Sequence, residues 1–253
     1  MFVVVSGAIS AGKSTVVKYA AKDLNYEPLF ETVEGHPYLE RFYKNPKEFA
    51  FRTQSFFLWD RFNKHYHAVI SGKDIIADRS IYEDNLFAKL QHLRGDLDDD
   101  DYLRTYLPHF TLLCQLLKPP DLLIYLRAGL PSLLHRKARR DREMEKDMDP
   151  EYMEQLLGLY EEWFDGYPYP KLLVDTDSFK LIREIPDSTE GEPGDDWPEF
   201  METVRWELRR FGMIEDEASG RGSGDFGPIV NEMPDVAEMM PVECRPAAQE
   251  VGA

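Results

Sequence analysis

The sequence of 253 residues has few cysteines, no long apolar run and a shortage of positive charge. Its two cysteines, Cys114 and Cys244, are too far apart for a metal-binding motif or a disulfide framework, so we expect a reducing, cytoplasmic setting. No apolar stretch approaches the roughly 20 residues that a membrane-spanning helix needs. The first residues also lack the basic region and cleavage site of a secretory signal. We therefore expect no membrane partner.

The charge of the chain excludes a second class of partner. Asp and Glu outnumber Lys and Arg by 47 to 30, a net charge of −17. From Pro186 onward there are 17 acidic and 5 basic residues, which leaves 30 acidic and 25 basic residues in 1–185. A nucleic-acid groove needs a basic face. We therefore expect small molecules, and no nucleic acid, as ligands.

Residues 1–185 alternate short apolar stretches with segments of helical periodicity. The strand candidates are FVVVS (2–6), EPLFE (27–31), DIIAD (74–78), DLLIYL (121–126) and KLLVD (171–175). The helix candidates are residues 13–23, 47–71, 80–93, 99–117, 131–146 and 150–165. This alternation predicts an α/β domain, a five-stranded parallel sheet with helices on both faces. In such sheets the functional residues follow the carboxyl ends of the strands, here after residues 6, 30, 77 and 174.

The sequence changes character near residue 186. IPDSTEGEPGDD (185–196) has the composition of an acidic linker, and an amphipathic helix is predicted to follow within 186–214. The apolar stripe of this helix consists of Trp197, Phe200, Met201, Val204, Leu208 and Phe211. Because an exposed stripe of this size is a liability, we expect it to dock on the first domain or on a second subunit. Residues 215–253 show no period and are expected to be largely disordered.

The most specific motif lies at the end of the first strand. GAISAGKS, from Gly7 to Ser14, fits G-x-x-x-x-G-K-[ST], follows a strand pattern and opens a helix. In this motif, backbone N–H groups at a helix N-terminus surround phosphate groups. Lys13 is then expected to reach the outer phosphates and Ser14 to bind Mg²⁺. A GTPase is disfavoured, because the one Asn-Lys pair, Asn63-Lys64, does not continue into an N-K-x-D base-reading motif. An ATPase machine needs more chain, which favours a small-molecule kinase.

Carboxylates follow the second and third strand candidates. A kinase that phosphorylates a hydroxyl group benefits from a carboxylate near the proton of that hydroxyl. Glu31 is placed for this role, and Glu34 competes with it. After the third strand, Asp78 is expected to orient the Mg²⁺ shell, and Arg79 to steer the acceptor hydroxyl or the transferred phosphoryl group.

A basic helix suggests a lid over the phosphates. Residues 127–146 carry seven Lys and Arg against three Asp and Glu, inside an acidic protein. Arg136 and Arg140 are four residues apart and share a helix face, and Arg142 follows. Arginines that close over a transferred phosphoryl group neutralise the charge on its oxygens. The alternative is a solvated helix face.

Taken together, these stretches resemble the deoxynucleoside kinase family, especially its bacterial deoxyadenosine/deoxyguanosine kinase branch. The resemblance spans about residues 2–177. It rests on GAISAGKST, the Glu31 loop, FYKNPKEFAFRTQSF (42–56), DRSIYEDNLFAK (78–89), PPDLLIYLRA (119–128) and HRKARRDREME (135–145) followed by YMEQL. It implies a P-loop kinase that transfers the γ-phosphoryl group of ATP, or of another nucleoside triphosphate, to the 5′-hydroxyl of a deoxynucleoside with Mg²⁺. The stretch DRSIYED favours purine acceptors.

The resemblance also implies the roles of individual residues. Glu31 matches the general base, Arg79 the arginine on the same hydroxyl, and Lys13 completes the catalytic set. The nucleotide would be held by Gly7, Ala8, Ser10, Ala11, Gly12, Lys13, Ser14, Thr15 and the lid arginines Arg136, Arg140 and Arg142. Residues implied to hold the acceptor are Glu31 and Arg79, Tyr43 and Glu145 at the sugar 3′-hydroxyl, and Gln54, Arg61 and Asp84 at the base. Ser14 and Asp78 would serve the metal.

The chain departs from the family pattern at three places. Ser10 stands where many members have Gly, His36 stands where members often have Asn, and residues 186–253 have no recognised counterpart. The resemblance further implies a homodimer formed through helices that follow the second and third strands. Two alternatives stay open: a thymidylate-type nucleoside monophosphate kinase, and a non-catalytic nucleotide-binding protein on the same scaffold.

Overall fold

The structure is a computed structural model that describes residues 1–31, 33, 35–142, 145, 148–186 and 188–214. The predictions made for Glu34, Cys244 and residues 215–253 lie outside the described residues. Within the described residues, none of the helices combines the length and apolarity needed to cross a membrane.

A parallel sheet of five strands forms the centre of the chain. The strands are β1 (Phe2–Ser6), β2 (Glu27–Leu29), β3 (Ile75–Asp78), β4 (Leu122–Arg127) and β5 (Lys171–Asp175). Their spatial order is β2-β3-β1-β4-β5, and all neighbours are parallel. Every residue of β1 is buried, and because successive side chains point to opposite faces, both faces of the sheet are covered. The predicted five-stranded parallel sheet is confirmed.

Helices connect the strands and cover the sheet. They are α1 (Lys13–Leu24), α2 (Leu39–Lys44), α3 (Pro46–Ile70), α4 (Asp84–Leu93), α5 (Asp99–Asp101), α6 (Leu107–Gln115), α7 (Leu130–Arg140), α8 (Pro150–Gly166) and α9 (Trp197–Arg210). A 3₁₀ turn, Ile81–Glu83, precedes α4, and a π-helical turn, Tyr102–Tyr106, joins α5 to α6.

Two predicted boundaries are wrong. β2 ends at Leu29, so Glu31 lies two residues beyond the strand, in the loop that faces the site. The basic helix was expected to reach residue 146, but α7 ends at Arg140 because Asp141 takes a left-handed backbone conformation with φ 46°. Arg142 and Glu145 therefore follow the helix and do not extend it.

A β-hairpin that the sequence did not predict extends into the segment described as an acidic linker. Strands β6 (Ile182–Glu184) and β7 (Gly191–Pro193) pair antiparallel. The apolar stripe of α9 docks on the core as expected, except that Phe211 is 39% exposed. Trp197 fixes this docking, since its Nε1 donates a hydrogen bond to Asp23 Oδ2 of α1 at 2.7 Å and its ring meets Tyr19 edge-on.

Candidate active site

The phosphate-loop motif forms the turn between β1 and α1. Gly7 has φ 146°, and a Cβ there would lie 2.7 Å from the carbonyl oxygen of Leu126, so no larger residue fits. Gly12 has φ 96° and immediately precedes α1. Ser10 also takes a left-handed conformation, with φ 66°. The loop thus depends on backbone conformations that favour glycine.

A cavity with a volume of about 590 Å³ opens above this loop. Its walls come from the phosphate loop, α7, the loop after β5 and the hairpin β6–β7. They include Ser10, Ala11, Gly12, Lys13, Ser14, Thr15, Arg136, Arg140 and Arg142. Lys13 Nζ donates a hydrogen bond to the carbonyl oxygen of Ala8 at 2.8 Å. Burial lowers the pKa of Lys13 to about 8. The cationic lining suits a polyphosphate.

Ser14 and Asp78 bring a hydroxyl group and a carboxylate together beside the phosphate loop. Ser14 Oγ donates a hydrogen bond to Asp78 Oδ2 at 2.5 Å. The second oxygen, Oδ1, is buried and has no hydrogen-bond partner among the described residues. Burial raises the pKa of Asp78. In the described part of the chain no group of three or more His, Cys, Asp or Glu side chains forms a metal cluster. A Mg²⁺ ion here would take further ligands from phosphate and water, which is usual for Mg²⁺.

A second cavity of about 110 Å³ adjoins the first. Its lining includes six of the residues proposed for the acceptor: Glu31, Tyr43, Gln54, Arg61, Arg79 and Glu145. The two cavities share Ser10, Lys13, Ser14, Arg140 and Arg142. Molecules bound in the two cavities would therefore meet at the phosphate loop.

Glu31 lies between two arginines at the edge of the second cavity. Arg61 donates a hydrogen bond to Glu31 Oε1, and Arg79 Nε donates one to Oε2 at 3.3 Å. Burial by itself would raise the pKa of Glu31, but Arg61, Arg79 and Lys13 outweigh it and hold this pKa well below its usual range. The carboxylate is consequently ionised at neutral pH and can accept a proton from a neighbouring hydroxyl.

Glu83 and Tyr160, which the sequence did not indicate, hold the Arg79 side chain in place. Its backbone is left-handed, with φ 71°, and its Nη1 donates hydrogen bonds to Glu83 Oε2 at 2.9 Å and to the Tyr160 hydroxyl. Tyr160 donates in turn to Glu83 Oε2 at 2.5 Å. A signal for Glu83 existed in the sequence, because Ser80 and Glu83 form a capping box, S-x-x-E, at the turn before α4.

Gln54 lines the second cavity, and Asp84 lies behind it, next to Arg61. Asp84 is fully buried, pairs with Arg61 and accepts a hydrogen bond from the Tyr106 hydroxyl at 2.6 Å. Asp84 does not line the cavity itself and acts on it through Arg61. Gln54 lines the cavity, and its Oε1 is buried without a hydrogen-bond partner among the described residues. Apolar lining that the sequence analysis missed comes from Val33, Leu39, Phe42, Phe57, Phe87 and the ring of Tyr152.

The predicted lid arginines make two different sets of contacts. Arg136 is anchored to the loop after β5, since its guanidinium donates to Thr176 Oγ1 at 3.0 Å and to the Thr176 carbonyl at 3.2 Å. Arg140 and Arg142 both pair with Glu145, one by a hydrogen bond and the other at 3.5 Å. These two arginines line both cavities, whereas Arg136 lines only the larger one.

Another arginine of α7, Arg139, joins that helix to the hairpin. Arg139 Nη2 donates hydrogen bonds to the backbone carbonyls of Ile185 at 3.1 Å and Ser188 at 2.9 Å, and Nη1 pairs with Glu184 at 2.9 Å. On the opposite side, Lys18 of α1 pairs with Glu190 at 3.0 Å. The hairpin is therefore attached to both walls of the larger cavity.

Comparison with known proteins places these features in a family. A family model described as deoxynucleoside kinase matches residues 3–190. The deoxyadenosine/deoxycytidine kinase of Bacillus subtilis is 34% identical over 186 residues, covering 72% of this chain and 85% of that protein. The deoxyguanosine kinase of Lactobacillus johnsonii is 31% identical over 224 residues, covering 85% of this chain and 96% of that protein.

Solved structures extend the match beyond the family model. The structure of deoxyadenosine kinase from M. mycoides with bound dCTP has a TM-score of 0.67 and 28% sequence identity, and covers 83% of this chain and 100% of that chain. The structure of the same enzyme with bound dATP has a TM-score of 0.66. Residues 1–190 make up less than 83% of this chain, so the match must include residues beyond 190. The expectation that residues 186–253 have no counterpart is therefore wrong for part of that segment.

Proposed function

Since the chain belongs to the deoxynucleoside kinase family, a family of phosphotransferases that use a nucleotide phosphate donor, we propose that it transfers the γ-phosphoryl group of ATP to the 5′-hydroxyl of a purine deoxynucleoside. The observation that carries this proposal is the position of Glu31. An ionised carboxylate, paired with two arginines, lines the smaller cavity where it joins the phosphate loop.

ATP would occupy the larger cavity, with its phosphates in the loop between β1 and α1. Lys13 and the lid arginines would balance the charge of the phosphates. Ser14 and Asp78 would hold Mg²⁺, which supplies charge neutralisation at the phosphate oxygens when it is bound. The buried, unpartnered Oδ1 of Asp78 supports this assignment.

The deoxynucleoside would occupy the smaller cavity with its 5′-hydroxyl at Glu31. Glu31 accepts the hydroxyl proton as the oxygen attacks phosphorus, and Arg79 holds the hydroxyl in line. Arg140 and Arg142 reach the transferred group because they line both cavities. Tyr43 and Glu145, which line the same cavity, are assigned to the sugar 3′-hydroxyl.

The base would lie at the far end of the smaller cavity, between apolar side chains. Gln54 supports a base that carries an amino group, such as adenine, because its unpartnered Oε1 can accept a hydrogen bond from that group. Arg61, held by Asp84, offers donors to a ring nitrogen or carbonyl group. The names of the two curated relatives include deoxyadenosine, deoxyguanosine and deoxycytidine, so the assay must compare all of these acceptors.

Homodimerisation is a second part of the proposal. Large apolar side chains are exposed on one face of α3, at Trp59 (61%), Tyr66 (45%) and Ile70 (57%). α6 and the residue after it expose Leu112 and Leu116. A patch of this size on helices that follow β2 and β3 supports self-association. Sedimentation of Trp59→Glu beside wild type tests self-association through these apolar side chains. A Trp59→Glu variant that stays dimeric contradicts this interface. We also propose a cytoplasmic location, which suits the free, buried thiol of Cys114.

The central experiment is an ATP-dependent assay on dA, dG, dC, dT and dTMP, with wild type beside Glu31→Gln. We expect turnover of dA or dG with wild type and a fall in kcat of about 10²–10⁴ with the variant, the usual contribution of a general base. Turnover of dTMP alone identifies a thymidylate-type kinase. ATP binding without turnover of any acceptor identifies a non-catalytic nucleotide-binding protein.

A further inference from the structure

His36 joins the loop of Glu31 to helix α2 through two hydrogen bonds. Its Nδ1 accepts from the backbone N–H groups of Tyr38 at 3.1 Å and Leu39 at 3.0 Å. The side chain is buried, and its ring packs against Phe56 and Phe57 of α3 with centroid distances of 4.4 and 4.3 Å. The imidazole therefore caps the start of α2 and attaches it to α3.

This cap requires a neutral imidazole. Both donors point at Nδ1, so this nitrogen must carry a lone pair, and a protonated ring has no acceptor to offer. Burial lowers the pKa of His36, which favours the neutral form. Two charged residues of α3 act on His36: Arg61 lowers its pKa, and Asp60 raises it. Protonation would turn two hydrogen bonds into two donor–donor contacts.

The position of α2 matters because the helix is short and lines the smaller cavity. α2 has six residues, too few to be stable without tertiary contacts. Three of them, Leu39, Phe42 and Tyr43, line the cavity, and so does Phe57, which packs against His36. A loosened cap would therefore displace one wall of the acceptor cavity and leave the phosphate loop unchanged.

We propose that His36 is a positioning residue for the acceptor: the neutral imidazole holds α2 against α3, and protonation in mild acid releases it and weakens deoxynucleoside binding. This inference rests on the proposed function for its acceptor readout. Affinity for the donor is not coupled to His36, since the contacts of α2 lie on the acceptor side.

The test compares wild type with His36→Asn and His36→Ala between pH 5.5 and 8. The Asn carboxamide oxygen is a good helix-capping acceptor and does not titrate in this range. For wild type we expect the acceptor KM to be constant above about pH 6.5, since burial keeps the pKa of His36 below that ordinary histidine value, and to rise at lower pH, by at most about tenfold at pH 5.5. His36→Asn should remove this rise, and His36→Ala should raise the acceptor KM at every pH. The KM for ATP and kcat should follow the same pH profile in wild type and His36→Asn.

Identical acceptor profiles in wild type and His36→Asn would overturn the proposal, and so would an effect confined to kcat. A readout without catalysis separates this inference from the proposed function. Hydrogen exchange of the Tyr38 and Leu39 amides in wild type should be slow at pH 7.5 and, after correction for intrinsic rates, lose protection at pH 5.5. Protection that persists at pH 5.5 contradicts the role of His36, even if the chain phosphorylates no deoxynucleoside.

Discussion

Helix α9 should be indispensable for the stability of the domain, although it lies beyond residue 190, where the family model ends. Five of its side chains are at most 6% exposed: Trp197, Phe200, Met201, Val204 and Leu208. Full burial of one such side chain contributes about 1.5–3 kcal/mol, so the five contribute roughly 7–15 kcal/mol. A domain is stable by only about 5–15 kcal/mol, and we therefore expect a chain that ends at residue 190 to lose its cooperative unfolding transition.

The assay is urea denaturation followed by fluorescence and circular dichroism. The matched control ends at Ile214, because that chain keeps every described contact of α9. A point variant, Asp23→Ala, removes the acceptor of the Trp197 Nε1 hydrogen bond and should cost about 1 kcal/mol. The reasoning is refuted if the chain that ends at residue 190 unfolds at the same urea concentration as the chain that ends at Ile214.

Three further predictions concern the donor side. ATP binding to the free enzyme should weaken above pH 8, because Lys13 loses its charge. A titration with a fluorescent nucleotide measures this affinity, and equal values at pH 7.5 and 9.5 would contradict the prediction. Ser10→Gly should relieve the left-handed strain and raise the free energy of unfolding by up to about 1 kcal/mol at unchanged kcat; a destabilised variant speaks against that strain. Arg139→Gln should release the hairpin β6–β7 from α7 and raise the KM for ATP about 3- to 10-fold, with the acceptor KM unchanged. The exposed Arg104→Gln is its control, and an equal effect in both variants argues against the role of Arg139.

The central fold follows from the sequence because its three inner strands, β1, β3 and β4, are buried on both faces and consist mainly of apolar residues. β1 and β5 have the expected bounds, and the phosphate loop has a pattern that few other structures require. The hairpin β6–β7 was missed for the opposite reason. Its strands have only three residues each, and β7 consists of Gly, Glu and Pro, so no period-two pattern can emerge. Tertiary contacts with α7 and α1, through Arg139 and Lys18, hold it in place.

The site was only partly predictable. Tyr43 on α2 and Gln54 on α3 carried no signal of their own, and the family resemblance supplied them. The support of Arg79 by Tyr160 joins two residues 81 positions apart, and sequence spacing contains no information about such a pair. α7 ends at Arg140 because a single residue, Asp141, takes a left-handed backbone conformation. The charged residues that follow in the sequence would favour a longer helix.

The pairing pattern around Glu31 explains why this residue is the most informative one to replace. Arg61 pairs with both Glu31 and Asp84, and Arg79 pairs with both Glu31 and Glu83. Neutralising Glu31 leaves each arginine with another carboxylate. Removing Arg61 leaves the buried Asp84 without its arginine, removing Arg79 does the same to Glu83, and breaking a buried ion pair in this way costs about 3–5 kcal/mol. Loss of activity in Glu31→Gln can therefore be assigned to chemistry, whereas loss of activity in an arginine variant includes loss of the folded site.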